Sequence, residues 1–552
     1  MQVIRHGAGA SYRLMKQRFS IPTIPEAERT PLVTVLLGLI EALAERVQKQ
    51  EEEIALLKDE IRILKGGKKR PQFKPSKMDE RTQPSQAADG GSEEDKRRPG
   101  SDKRNKTADL VIHDEKIIQP KRGVPKGSRF KGYRDIVIQD LVIRAHNTRY
   151  RLARWLTPKG EYVTGELPAH LADHHFGASL RSYLLYQHHH CQVTQPLLHE
   201  QLREWGIDIS SGAIDALLSA DQDGFHAEKD ALLKSALETA TFVTVDDSGA
   251  RHQGKNGYVT HIGNPDLAWF ESTDSKSRIN FLELLCAGET GYRINEAALS
   301  YMREQGLPHA PVQALQMNRR HFFKDAFAWE EHLSAVQFDS ERHERIATEG
   351  ALLGELAERG LHERLAIVSD DAGQFKVLRH GLCWIHAERL IHTLLPLNDD
   401  HREDIAKVRG GLWALYADLK AYKQKPNTKA KRALERRFDA LFTQKTRYQT
   451  LNQLLRRLHQ NKAELLLVLE RPDIPLHTND SERDIRDYVK KRKVSGGTRS
   501  DVGRRCRDTF ISLKKTCRKL GVSFWDYLND RIAQAECIPS LSAIFQARAA
   551  PA

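Results

Sequence analysis

The sequence predicts an α/β catalytic domain with large helical insertions. Ahead of it stand an N-terminal coiled coil, a disordered basic linker and a small β plus helical region. Three observations carry this reading. The run Thr241–Val245 is rich in β-formers and ends in Asp246-Asp247. A second apolar run, Leu365–Val368, ends in Ser369-Asp370-Asp371-Ala372-Gly373, the pattern of a short buried strand with acids at its C-terminal mouth. Far upstream, apolar residues recur in alternating steps of four and three between Leu36 and Leu64.

At 552 residues the chain is too long for one core, and three or more units are expected. Its apolar content of 39% supports real cores, while a mean hydropathy of −0.58 requires solvated or extended parts. The formal charge of +13 and pI of about 9.3 suggest a polyanionic partner, with nucleic acid first. Six scattered cysteines without a CxxC pair point to a reducing compartment. No signal-peptide pattern and no spanning apolar run is found, so no membrane partner and a cytoplasmic location are expected.

Taken in order, residues 32–65 form the coiled-coil dimerisation helix. Ile40, Val47, Ile54 and Ile61 take the a positions; Leu43, Gln50, Leu57 and Leu64 take the d positions. β-Branched a with Leu at d favours a parallel homodimer, and Arg46–Glu51, Glu53–Lys58 and Glu60–Lys65 are opposite-sign pairs across it. A helix packed on its own domain is the plainer alternative. Gly66-Gly67 ends the helix, and 66–125 is too rich in Lys, Arg, Pro, Ser and Gly to bury a core. Residues 126–170 regain β character at Asp135–Ile138, Leu141–Arg144, Tyr150–Leu156 and Tyr162-Val163, a small β module. The 171–235 region is helical. Thr194 and Pro196 open one short helix with Leu197, Leu198 and Leu202 inward, and Gly206 turns the chain. Ser210 or Ser211 caps a second helix with Ile214, Leu217 and Leu218 inward. That is helix-turn-helix grammar for DNA, although an ordinary helical hairpin reads equally well.

Residues 236–545 make the catalytic domain. Strands at Phe242–Val245, Tyr258–Ile262 and Leu267–Glu271, a helix at Ile279–Leu285, then the Leu365 strand give the order of a ribonuclease H-like fold. Helical insertions of about 290–360 and 390–470 interrupt it. Asn479-Asp480-Ser481-Glu482 opens a later helix. The strand-end pairs Asp246-Asp247 and Asp370-Asp371 and the helix-borne Glu482 are together the parts of a divalent-metal site for phosphodiester chemistry, and their hard oxygen ligands suit Mg²⁺. Taken singly, an Asp-Asp after a strand reads as a turn, and Asn479-x-x-Glu482 as a capping box. Residues 483–519 hold fourteen Lys or Arg against four Asp. Lys490, Lys491, Arg492, Lys493, Arg504 and Arg505 are therefore candidates for tracking phosphates. His188-His189-His190-Cys191 looks ready for a metal, but adjacent residues seldom converge, and no zinc is expected there.

These residues resemble the insertion sequence 66 family of bacterial transposases, from about residue 32 onward. Val245-Asp246-Asp247-Ser248 is similar to that family's Asp-Glu-Thr motif. Gly381-Leu382-Cys383-Trp384-Ile385-His386 is similar to its Cys-Trp-x-His motif. Asn479-Asp480-Ser481-Glu482-Arg483-Asp484-Ile485-Arg486 is similar to its Asn-x-x-Glu-Arg-x-x-Arg motif. The resemblance implies a DDE catalytic domain with Asp246, Asp370 and Glu482 as catalytic residues and metal ligands, holding two Mg²⁺ ions or Mn²⁺ in their place. Its auxiliary residues would be Cys383, His386 and Arg486. The activity implied is Mg²⁺-dependent end cleavage and strand transfer, on element ends and target DNA, near the bacterial nucleoid. Room is left for helper proteins encoded by the element. The family's cysteine-based zinc module has no counterpart, since no cysteine precedes residue 191; the β module would be its zinc-free remnant. Two rival functions remain: a nuclease of the same fold that cuts without joining, and a non-catalytic DNA-binding derivative.

Overall fold

The computed structural model describes residues 30–64, 111–120, 123, 125–167, 175–338 and 340–549. The predicted linker therefore lies mostly outside the described residues. Two compact units emerge, one of Met1–Lys74, Leu152–Glu200 and Ile209–Ala552, the other of Pro75–Arg151 and Gln201–Asp208.

The first unit begins with α1 (Pro31–Leu64), the helix of the heptad repeat. Its seam residues Ile40, Leu43, Val47, Ile54 and Leu57 are exposed; the side chains of Ile61 and Leu64 lie outside the described ones. In the second unit the strands expected at 135–138 and 141–144 do not form. Ile136, Ile138, Leu141 and Val142 are between 74% and 84% exposed. An alternating pattern becomes a strand only where a neighbour supplies ladder bonds and cover. What does form is one hairpin in the first unit, β1 (Arg154–Leu156) against β2 (Tyr162–Thr164), with Trp155 opposite Val163. Gly160 closes its turn at φ 80°, donating to the Thr157 carbonyl.

Helices α2 (Ala178–Leu185), α3 (Gln195–Glu204), α4 (Ser211–Ser219) and α5 (Asp223–Thr239) follow. Ser210 caps α4 by accepting from the Ala213 N–H at 3.1 Å. Ile214 and Leu218 are buried on α4, and Leu198 and Leu202 on α3, whereas Leu197, expected inward, is 56% exposed. A single turn of π-helix, Tyr186–His190, precedes α3.

A five-stranded sheet organises the catalytic region, in the order β5 (Ala268–Thr273), β4 (Tyr258–Gly263), β3 (Phe242–Gly249), β8 (Ala366–Ser369), β9 (Arg379–Leu382). β3, β4 and β5 are antiparallel; β8 and β9 join parallel to β3. β8 is buried along its whole length, which explains its unbroken apolar run. Between β5 and β8 lie α6 (Arg278–Leu285), capped by Ser277, and the first insertion. That insertion comprises β6 (Tyr292–Arg293) paired with β7 (Phe322–Phe323), and helices α7 (Glu296–Glu304), α8 (His309–Met317), α9 (Ala326–Ala335), α10 (Glu341–Glu358) and α11 (Leu361–Arg364).

After β9 come α12 (Trp384–His392), α13 (Asp399–Gln424), α14 (Thr428–Phe442), α15 (Gln449–Gln460) and α16 (Lys462–Leu465). Their inner faces, among them Leu412, Leu419, Leu434, Phe438 and Leu455, build a core around Trp384 that reaches Val368 and Leu382 of the sheet. The second insertion is thus one packed body with the sheet's β9 edge. At the far edge, α17 (Asn479–Ser495) and α18 (Asp501–Lys519) lie against β4 and β5, burying Val259, Phe270, Ile485, Tyr488 and Ile511 together. The free backbone of β5 is covered residue by residue. The N–H groups of Ala268, Phe270 and Ser272 donate to Thr516, Ser512 and Asp508, which are spaced four apart along α18. α19 (Phe524–Ala533) and α20 (Leu541–Ala549) complete the chain. Among the described residues no helix is long and apolar enough to cross a membrane.

Candidate active site

β3 and β8 run in register, Phe242 beside Ala366, Val243 beside Ile367 and Thr244 beside Val368. Continued two residues, the same offset brings Asp246 level with Asp370. The two Asp-Asp pairs are treated alike. The second acid of each is neutralised by cations: Asp247 by Lys276, with a further hydrogen bond from the Gln374 amide at 2.6 Å, and Asp371 by Arg457 and by Lys376 at 3.1 Å. The first acid of each carries no ion pair among the described residues. Asp370 accepts from the Ala372 N–H at 3.0 Å and Asp246 from the Asp247 N–H at 2.8 Å. Burial pushes the Asp246 carboxyl up to about 6; its bond from the Asp247 N–H opposes this, and the nearby Asp370 charge adds to it. Strand-end carboxylates without an ion-pair partner in a partly desolvated place, with only the more distant His386 charge acting in favour of the ionised Asp246, suit a hard divalent cation.

Glu482 sits one turn into α17. The helix is fixed to the sheet by Ser481, fully buried, whose hydroxyl donates to Thr244 Oγ1 at 2.7 Å, two residues before Asp246. A second anchor fixes its roll. Asp484 lies 2.8 Å from Lys519 Nζ and 3.4 Å from His261 Nε2; although burial opposes it, these partners hold its carboxyl well below the usual range. No capping box forms: Thr478 is the cap position, without a side-chain cap, and the Glu482 carboxylate does not reach back. It is instead gripped in bidentate fashion by Arg389, at 2.8 and 3.0 Å, with His386 Nε2 at 3.6 Å. Among the described residues no group of three or more His, Cys, Asp or Glu converges as a metal cage. The donor chemistry of the Asp246–Asp370 pair fits a divalent cation; Glu482 is turned to Arg389.

The Cys-Trp-x-His segment supplies this grip. Trp384 is fully buried and donates to the Leu465 carbonyl at 2.9 Å, anchoring α12 in the insertion core. Cys383 is the buried cap residue of α12. Burial disfavours its thiolate, yet the adjacent His386 lowers the thiol's pKa overall. Burial likewise opposes charging of His386, but Cys383 raises its pKa. Arg389, three residues on, had no sequence signal beyond its place on the same helical face. Another arrangement was equally hidden: Glu464 Oε1 lies 2.8 Å from His380 Nδ1, His380 Nε2 lies 2.8 Å from Ser369 Oγ, and Ser369 donates to the Asp370 carbonyl at 2.6 Å. This chain of three side chains holds the backbone of Asp370 from beneath.

The basic segment divides sharply. Lys490, Lys493 and Arg505 are exposed. Lys491 is not: it is 6% exposed, donates to the His188 carbonyl at 2.8 Å, and burial, aided by Arg507 and Lys514, lowers its pKa to about 7. Its expected phosphate contact is therefore corrected to an internal tie. Arg492 bonds the Gly249 carbonyl at the end of β3, and Arg504 pairs with Asp274 at 2.8 Å. The turn Gly496-Gly497 packs so tightly that a Cβ on Gly497 would stand 2.6 Å from the Arg251 carbonyl. Arg486 is exposed on the Glu482 face of α17. In the 188–191 segment, His189 stacks on Phe510 at 4.2 Å and His190 on Tyr186 at 4.6 Å, so these rings serve packing.

A mixed five-stranded sheet of this order, with two carboxylates at neighbouring strand ends, is that of a ribonuclease H-like domain. A family model described as transposase IS66 family matches residues 323–505. The chain is also 42% identical over 321 residues to an uncharacterized protein, y4jO, of Sinorhizobium fredii (strain NBRC 101917 / NGR234), which covers 58% of this chain and 100% of that protein. The chain belongs to the IS66 family of transposases. With the family come DNA transposition as the general function, DNA as the partner and general reliance on divalent metal.

Proposed function

We propose that this protein cleaves the ends of an insertion sequence and joins the freed 3′-OH groups to target DNA, with Asp246, Asp370 and Glu482 as its catalytic carboxylates. The observation that carries this reading is the pair of uncompensated acids, Asp246 and Asp370, level on adjacent parallel strands, with Glu482 on a helix pinned to the same strand. Mg²⁺ held there, or Mn²⁺, would supply charge neutralisation and an activated oxygen nucleophile. Phosphoryl transfer asks little more of a protein than placement and charge. Asp370 is placed from below by Ser369, His380 and Glu464. Arg389 balances the Glu482 charge in the free protein and stands where a phosphate of bound DNA can take over one arm of its fork. Glu482, Arg486, Lys490 and Lys493 follow one another along one face of α17, so a phosphate track leads away from the acids. The coil of α1 makes the dimer that brings two element ends together.

The test is a strand-transfer reaction with labelled duplex carrying the element's own terminal sequence, Mg²⁺ and a target plasmid. Joined product supports the proposal. Cutting without joining assigns the chain to hydrolytic nucleases, and binding without cutting makes it a DNA-binding derivative.

A further inference from the structure

α1 is engaged on the face opposite its seam. With Ile40, Val47 and Ile54 at a positions, Glu45 and Glu52 both fall at f, seven residues apart. Glu52 is only 5% exposed despite its charge. Its carboxylate accepts from the N–H groups of Gln449 and Thr450, at 2.8 and 2.9 Å, and from the Thr450 hydroxyl. The α15 cap residue, Tyr448, offers no side-chain cap of its own. Glu52 thus satisfies the open donors at the start of α15 and meets the positive end of its dipole. Glu45 reaches Arg456 at 3.5 Å, so the two helices run antiparallel with matching seven-residue spacing. At the far end of α15, Arg457 and the residue just past the helix, Asn461, hold Asp371, the neighbour of Asp370. Meanwhile five seam residues, Ile40, Leu43, Val47, Ile54 and Leu57, stand 42% to 60% exposed in one stripe.

We propose that α1 is a docked arm rather than a free tether. Its f face is seated on α15 of its own chain, and its a/d seam receives the same helix of a second copy, so that coil pairing fixes the orientation of two catalytic units. The docking half stands on the Glu52 and Glu45 contacts; the seam half rests on the coil reading given above. The occupant of the seam is a second copy because the heptad is self-complementary, with Arg46 opposite Glu51 and Glu53 opposite Lys58 of a parallel partner.

The experiment uses the full chain with a protease site inserted between Gly67 and Lys68, cut and then run on gel filtration with light scattering at 0.15 M salt. The N-terminal piece is expected to travel with the catalytic piece, at a mass of two copies. Glu52→Ala should weaken retention roughly tenfold, the scale of losing one charge-assisted helix cap. Glu45→Arg and Arg456→Glu should each release the piece in part, and the double exchange should restore it, which a merely misfolded helix would not do. A wild-type piece that elutes apart, or retention that Glu52→Ala leaves unchanged across a dilution series, overturns the docking. A retained piece at the mass of one copy overturns the seam. Neither readout involves DNA chemistry, so failure of strand transfer with the piece retained would count against the proposed function alone.

Discussion

Replacing Asp246 with Asn should make the metal-free protein more stable at neutral pH while abolishing end cleavage. Burial raises this carboxyl from 3.8 to about 6. Because the folded state binds the proton more tightly than the unfolded chain, stability is full below pH 3.8 and declines as pH rises towards 6. Above that the ionised form carries the whole penalty, ~3 kcal/mol as an upper bound from the size of the shift. Asn removes the charge and keeps an oxygen to accept from the Asp247 N–H. Urea unfolding in EDTA should therefore show the variant ahead of wild type at pH 8 by up to about 3 kcal/mol, with the gap closing towards pH 4. Saturating Mg²⁺ should stabilise wild type and not the variant. A variant less stable at pH 8, or a gap independent of pH, would refute the idea that Asp246 is held as an uncompensated charge.

Three further outcomes follow from the same geometry. Arg389→Ala should lower the Mg²⁺ concentration giving half-maximal cleavage, since Glu482 loses its bidentate partner, while weakening DNA binding in a filter assay. Lys490→Gln, Lys493→Gln and Arg505→Gln should each flatten the slope of log affinity against log salt by up to about 0.9, and Lys491→Gln should leave the slope unchanged but lower the melting temperature. Ile54→Asp with Leu57→Asp should abolish the dimer in light scattering, keep the catalytic domain folded by circular dichroism, and stop paired-end joining before single-end nicking.

The strand-end placement of the two Asp pairs was legible because the β-rich run of β3 stops at Asp246 and the apolar run of β8 stops at Ser369, just before Asp370, and burial of β8 on both faces leaves its run unbroken. The α17 helix was legible as a helix, but the choice between cap and site residue at Glu482 was not. It depends on Arg389, ninety-three residues away in sequence. The charge run from Lys490 to Lys493 could not reveal that Lys491 turns inward, because side-chain direction depends on which face α17 presents to the π-helix at His188. The strands expected at 135–144 failed because periodicity specifies faces and not partners. The Thr516, Ser512 and Asp508 stripe on α18 was hidden for the same reason: small polar residues at every fourth position read as a solvated face until the strand edge they meet is known.

If Asp370, paired with Asp246, touches the metal that drives cleavage and joining, Asp370→Cys in the strand-transfer reaction must respond to the cation supplied. A thiolate disfavours Mg²⁺ and accepts softer ions. The variant should give no product in Mg²⁺ and regain end cleavage in Mn²⁺ or Cd²⁺, with DNA binding unchanged throughout. Full activity of the variant in Mg²⁺, or a folded, DNA-binding variant that no cation restores, would contradict it.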